Sequence, residues 1–192
     1  MNCSTVYVFI GSALDNNIIR KSFKTDGICF VDKDSLTDVE ADYQTKVNYI
    51  NLNDSQSIEK IFEDIEGIKS IVVCPSINNE LKYDKLLLDV DRVLRKLVIF
   101  SKGIYPTAMR NKGIKVWFLD SNVANNENYV LTKSFSAGVN AISKTFGMEL
   151  ARKSTIVNYI KLNDIDNFEK ISDFIDLVLD KSIYLDMQNL IV

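Results

Sequence analysis

AGVNAISKTFGMELARKSTIVNYI, residues 137–160, is the stretch on which the fold turns. It reads as the body of a long helix, 129–152, running into a buried strand, TIVNYIKL (155–162). The helix carries Val130, Leu131, Phe135, Val139, Ile142, Phe146, Met148 and Leu150, apolar residues nearly all round its axis. That is more apolar surface than one sheet face can cover. The strand is a short run rich in Val and Ile, closed by polar residues.

Working outward, the same alternation recurs. VYVFIG (6–11), GICFVD (27–32), VNYINL (47–52), SIVVC (70–74) and IKVWFL (114–119) are short apolar runs of strand length, and NLIV near the end supplies a seventh. Between them lie helical patterns at 16–23, 55–65, 81–102 and 167–180. In 55–65, Ile58, Ile61, Phe62 and Ile65 share one face; in 81–102 the apolar positions include Leu87, Val90, Leu94, Leu97 and Val98. Continuous apolar strands separated by helices describe an α/β fold: a doubly wound parallel sheet of about seven strands, Rossmann-like, with helices on both faces. Residues 1–192 are expected to form a single domain. Ligands in such folds sit beyond the carboxyl ends of the strands. KVNYINLND (46–54) and IVNYIKLND (156–164) are alike because each is a strand feeding a helix start, where Asn or Asp caps.

Composition narrows the function. The net charge is −3, which argues against nucleic acid as a partner. The chain has no histidine, so a Ser-His-Asp triad and histidine metal ligands are excluded. Its three cysteines, Cys3, Cys29 and Cys74, have no metal-like spacing, and no metal site is expected. The odd cysteine count fits a reducing, cytoplasmic setting. No apolar run approaches membrane-spanning length, so no membrane span is expected.

The order of elements, and above all AGVNAISKTFGMELARKSTIVNYI, resembles the short-chain dehydrogenase/reductase family, whose catalytic helix runs into a strand with a matching Asn, here Asn158. The resemblance extends over nearly the whole chain, through the tail ISDFIDLVLDKSIYLDMQNLIV. It implies an NAD(P)-dependent oxidoreductase using Ser, Tyr and Lys. Tyr donates a proton to the carbonyl oxygen, Lys lowers the Tyr pKa and holds the ribose, and Ser orients the substrate.

The functional segments depart from that pattern. After the first strand, IGSALDNN keeps Gly11, followed by Ser12, but has Asp15 and Asn17 where the resemblance calls for glycines that let the backbone approach a pyrophosphate. Asp32 could bond a ribose, or could be a solvated turn residue. Asn51 replaces an Asp after the third strand, and CPSI (74–77) replaces Asn-Asn-Ala-Gly after the fourth. Leu162-Asn163 replaces Pro-Gly after the sixth. Asp91 stands near the helix Asn. LNDIDN (162–167) bridges directly to the last helix, where the resemblance implies a substrate-covering segment.

Ser121 matches the catalytic Ser. Two registers compete for Tyr and Lys. YVLTK (129–133) supplies Tyr129 and Lys133 at the right mutual spacing. Ungapped alignment backward from KTFGMELA instead places Thr132 and Ser136 at those positions. The registers differ by three residues, a rotation of about 300° and a shift of about 4.5 Å.

The expected function is a short-chain dehydrogenase-like protein that has lost cofactor binding and catalysis, with no cofactor. It would serve as a binding, scaffold or dimer-partner protein. A homodimer, or a heterodimer with a related dehydrogenase, would form through helices 81–102 and 129–152. The alternative is an active NAD(P)-dependent oxidoreductase using Ser121, Tyr129 and Lys133. A third reading keeps the crevice for a nucleotide lacking its pyrophosphate, lined by Ser12, Asp32 and Asn51.

Overall fold

The computed structural model describes residues 4–11, 27–35, 47–122, 127–151, 155–162 and 189–191. Among the described residues, seven strands form one sheet: β1 (Thr5–Gly11), β2 (Ile28–Asp32), β3 (Asn48–Ile50), β4 (Ser70–Ser76), β5 (Lys115–Asp120), β6 (Ile156–Lys161) and β7 (Asn189–Ile191). Their order is β3-β2-β1-β4-β5-β6-β7, and every pairing is parallel. The chain reverses its direction of travel across the sheet between β1 and β4, which is where a doubly wound sheet opens its crevice.

Three described helices follow: α1 (Ser55–Glu63), α2 (Tyr83–Arg110) and α3 (Tyr129–Leu150). They share a core with one sheet face, where Val6, Val8, Ile10, Val73, Val116 and Phe118 meet Phe62, Phe100, Phe135 and Phe146. The alternate residues, Tyr7, Phe9, Val31, Val72, Trp117 and Ile160, are buried on the opposite face. Burial on both faces is why these strands read as unbroken apolar runs. The helical patterns at 16–23 and 167–180 lie outside the described residues, as does most of the 162–167 bridge.

Two boundaries differ most from the sequence reading. VNYINL forms only a three-residue strand, because Asn51 turns the chain through its own side chain: Oδ1 accepts the Asn53 amide at 3.1 Å. Asp54 then caps α1, accepting from the Gln56 amide at 3.0 Å and the Ser57 hydroxyl at 2.6 Å. The pattern at 81–102 continues to Arg110 through Pro106. A mid-helix proline costs about 3 kcal/mol, but Ile104, Thr107 and Ala108 carry the buried face past it. On α2, Val90 and Leu97 are buried, whereas Leu87 and Val98 face solvent at 48% and 52% exposure. The apolar residues of α2 therefore serve two faces, not one.

Two glycines set the packing. Gly11 has φ +125°, and a Cβ on it would lie 1.8 Å from the Ser76 carbonyl oxygen. Gly103 brings α2 onto α1, where a Cβ would meet Ile58 Cβ at 2.6 Å.

Candidate functional site

The carboxyl ends of β4, β5 and β6 bring together a buried polar cluster. Asp120, the last residue of β5, is fully buried. Its Oδ1 lies 3.1 Å from Lys161 Nζ and accepts from the Asn122 amide at 3.0 Å and from Asn122 Nδ2 at 2.8 Å. Its Oδ2 accepts the Tyr159 hydroxyl at 2.7 Å. Tyr159 and Lys161 alternate with Ile160 along β6, which turns both toward α3. Lys161 Nζ also donates to Ser136 Oγ on α3 at 3.1 Å and to the Asn122 carbonyl.

Charge and burial compete within the cluster. Burial alone would push the Asp120 carboxyl up. The Lys161 ammonium and hydrogen bonds from Ser136, Asn122 and Tyr159 outweigh it, so the carboxyl titrates below its usual range. Burial, then the Asp120 charge, pushes the Tyr159 phenol far up, so it stays protonated. Burial pulls the Lys161 amine down, and Asp120 offsets only part of that.

Asn122 also binds the end of β4. Its Oδ1 accepts the Ile77 amide at 2.9 Å and its Nδ2 donates to the Pro75 carbonyl at 3.0 Å. The backbone that follows β4, which would border a cofactor groove, is thereby satisfied from within the chain. Farther along the same loop, Asn128 Nδ2 donates to the Asn79 and Leu81 carbonyls at 2.8 and 3.3 Å. The Thr132 hydroxyl lies 3.0 Å from the Asn128 carbonyl and 3.1 Å from Asn79 Oδ1. The loop after β4 is stitched to the start of α3.

Each residue singled out from the sequence has a definite place. Ser121 is buried beside Asp120. Thr132 and Ser136 lie on the buried face of α3, Ser136 bonded to Lys161 and Thr132 to Asn79 and Asn128. Tyr129 is 55% exposed and Lys133 is also on the surface, with Lys133 Nζ 5.4 Å from the Tyr129 ring centroid. Ser121, Thr132 and Ser136 are thus all buried, whereas Tyr129 and Lys133 are stacked on each other outside. Asp91 is on the solvent side of α2, paired with Arg95 at 3.1 Å. Asn51 is exposed and engaged in its own turn. Gly11 holds β1 against β4. Ser12, Asp15 and Asn17 lie outside the described residues.

Asp32 ends β2 with its side chain buried, 2.7 Å from Lys96 Nζ on α2. The same ammonium bonds Asp34, whose amide donates to Asp32 Oδ1 at 3.3 Å. Asp32 is therefore not a solvated turn residue. A hydrogen bond from Lys96 is also the main reason that the Asp34 carboxyl titrates below its usual range.

Sequence reading missed Lys161, Asp120, Asn122, Tyr159 and Lys96. The signal for the two lysines was present. Lys161 is the one charge in IVNYIK, and Lys96 sits at helical spacing from the buried Val93 and Phe100.

A groove of about 820 Å³ runs between α2 and α3, lined by Val98, Tyr105, Ala141, Ile142 and Phe146 with Lys102 on its wall. Among the described residues no helix is long and apolar enough to cross a membrane, and no group of three metal-ligating side chains occurs.

No family model matches the chain, and no curated protein does. Solved structures match over its full length. One described as a dehalogenation enzyme aligns with TM-score 0.70 at 12% identity, covering 100% of this chain and 97% of that one. Halohydrin dehalogenase HheC bound to ethyl (2S)-oxiran-2-ylacetate aligns with TM-score 0.70 at 12% identity, covering 98% and 95%. ElxO with NADP bound aligns with TM-score 0.66 at 10% identity, covering 99% and 97%. At such identities the likeness shows the fold alone: the chain has a Rossmann-like α/β fold of the short-chain dehydrogenase kind.

Proposed function

We propose that this chain is a short-chain dehydrogenase-like protein that has lost nicotinamide-cofactor binding and hydride-transfer catalysis, and that it works by binding another protein chain. The observation that carries this reading is the identity and engagement of the two helix positions in ungapped register. Thr132 and Ser136 stand there, neither a phenol nor an amine, and both are held in internal hydrogen bonds. Two further features support it. The Asp32 carboxylate, the group suited to a ribose, is buried against Lys96. The backbone after β4 is bonded by Asn122. These described residues do not fit a dinucleotide, and no reaction step is routed through one.

The partner surface is the α2–α3 face. Leu88, Val98, Val130 and Met148 are exposed at 52–71% on these helices, beside the apolar groove. A second copy, or a related intact dehydrogenase, would cover them. The setting is a reducing, cytoplasmic one.

Calorimetric titration of NADH and NADPH to millimolar concentration tests the cofactor half. No heat is expected. Micromolar binding would overturn it and favour the alternative, an NAD(P)-dependent oxidoreductase using Ser121, Tyr129 and Lys133, for which the proximity of Lys133 to the Tyr129 ring is the supporting contact. Sedimentation velocity at micromolar concentration tests the association half. A dimer is expected for the chain alone if the partner is a second copy. If it is an intact dehydrogenase, the dimer is expected only on mixing with one, and monomer in both runs would overturn it.

A further inference from the structure

The groove between α2 and α3 begins where the two helices touch. A Cβ on Gly138 would lie 3.0 Å from the Leu94 side chain, so the backbones are close at that level. Both helices pack on one sheet face, and each joins two neighbouring parallel strands, so they run the same way. Equal steps from that contact set Val98 level with Ile142, Lys102 level with Phe146, and Tyr105 level with Glu149. All six line the groove of about 820 Å³. It is therefore graded along its length: apolar beside the contact, then a cation on the α2 wall, then an anion on the α3 wall. Three polar groups on these walls have no partner among the described residues. Ser101 is 7% exposed, beside Lys102, and its hydroxyl has no hydrogen-bond partner. A serine inside a helix can bond the carbonyl one turn back, and this one does not. Lys102 and Glu149 are exposed and enter no ion pair among the described residues.

We propose that this groove binds a zwitterionic single-chain amphiphile. The alkyl chain lies along Val98, Ile142 and Phe146, the anionic group meets Lys102 and Ser101, and the terminal ammonium sits between Glu149 and the Tyr105 ring. An apolar cleft of this size with a few convergent polar groups is the usual form of a small-molecule site. The order of the groups along the groove selects the class. Chain, anion and cation follow one another, and the two charged levels are three residues apart, about 4.5 Å along the helix axis. An alkyl phosphate ester of an amino alcohol carries its groups in that order, with a two-carbon link between phosphate and ammonium. A fatty acid would leave Glu149 unmatched, and an alkylammonium would leave Lys102 unmatched. The Tyr105 ring adds a cation–π contact to a quaternary head.

The groove borders the surface proposed above for a partner chain, but the ligand site needs neither that partner nor the loss of the cofactor. Its lining comes entirely from this chain, and it lies on the outer side of α2 and α3, away from the carboxyl edge of the sheet where a nucleotide would bind.

The test is calorimetric titration of the full chain with decylphosphocholine, decanoate and decyltrimethylammonium, each below its micelle-forming concentration. Decylphosphocholine is expected to bind saturably, one molecule per chain, and roughly threefold more tightly than either singly charged amphiphile. Lys102→Glu is expected to weaken decylphosphocholine but not decyltrimethylammonium. Ala141→Trp, a change at an exposed position on the groove wall, is expected to abolish binding of all three. No saturable binding of decylphosphocholine would overturn the proposal. So would equal affinity for the three amphiphiles, or full binding in a folded Ala141→Trp variant. The comparison of amphiphiles on the wild-type chain decides the matter even where a variant does not fold. The titration is repeated at a tenfold higher protein concentration. Weaker binding there would place a second copy over the same groove, and the ligand assignment would stand.

Discussion

Lys96 Nζ lies 2.7 Å from Asp32 Oδ2, with the two side chains 3% and 2% exposed, so a buried ion pair ties the middle of α2 to the end of β2. Removing one partner leaves the other charge buried and alone, which typically costs about 3–5 kcal/mol. Lys96→Met is therefore expected to lower the unfolding free energy by about that amount. Lys96→Met combined with Asp32→Leu is expected to recover most of it, since both charges are then gone. Asp34→Ala removes the exposed partner and is expected to cost about 1 kcal/mol or less. Urea denaturation of the four proteins checks the order; equal losses for Lys96→Met and the double variant would contradict it.

Acid should loosen the other buried pair. The folded-state pKa of Asp120 lies below its ordinary value of 3.8. A carboxyl depressed on folding stabilises the fold above its unfolded pKa, and that contribution is lost as pH falls through the folded value. Asp34 is shifted the same way. Stability is thus expected to be flat in these groups above about pH 5 and to fall below about pH 4. Asp120→Asn should flatten that acid limb, measured as the melting temperature against pH.

The fold was legible because strand burial on both faces writes itself as unbroken apolar runs, and Val6–Ile10 and Ile71–Val73 need no tertiary knowledge to be recognised. The site was legible only where it depended on spacing. Counting back from KTFGMELA put Thr132 and Ser136 at the Tyr and Lys positions of the resembled motif, and both side chains are buried on α3. What stayed hidden were partnerships between residues far apart in sequence. Lys96 and Asp32 are 64 residues apart, Asn122 and Pro75 are 47, and Lys161 and Ser136 are 25. A charge inside an apolar run signals that a partner exists, but only the sheet order says which. The helical pattern at 81–102 fell short of Arg110, since the burial of Ile104 and Ala108 that carries α2 past Pro106 depends on tertiary packing.

Gly11→Ala tests the contact between β1 and β4. Two costs coincide there: φ of +125° is strained for any side chain, and the new Cβ would fall 1.8 Å from a carbonyl oxygen that is part of the sheet. Each is worth about 1–3 kcal/mol. The variant is expected to lose about 3 kcal/mol or more, seen as a lowered denaturation midpoint with an unchanged slope. A loss below about 1 kcal/mol would mean that the two strands can part at this point without disturbing the core.

Tyr129 and Thr132 are three residues apart on α3, yet Tyr129 is exposed and Thr132 is buried, which makes the register itself measurable. Tyr129→Phe keeps the exposed ring over which Lys133 sits and is expected to change stability by less than about 0.5 kcal/mol. Lys133→Met removes a surface cation–π contact worth about 0.5–1 kcal/mol at most. Thr132→Val keeps the shape but removes the hydroxyl that faces Asn79 Oδ1 and the Asn128 carbonyl, in a side chain only 1% exposed. The hydrogen bond lost with that hydroxyl is worth about 0.5–1.5 kcal/mol. The expected order is therefore Thr132→Val most damaging, Lys133→Met small and Tyr129→Phe near zero. The reverse order in thermal denaturation would put Tyr129 on the inner face, and with it the phenol that a hydride-transfer site needs.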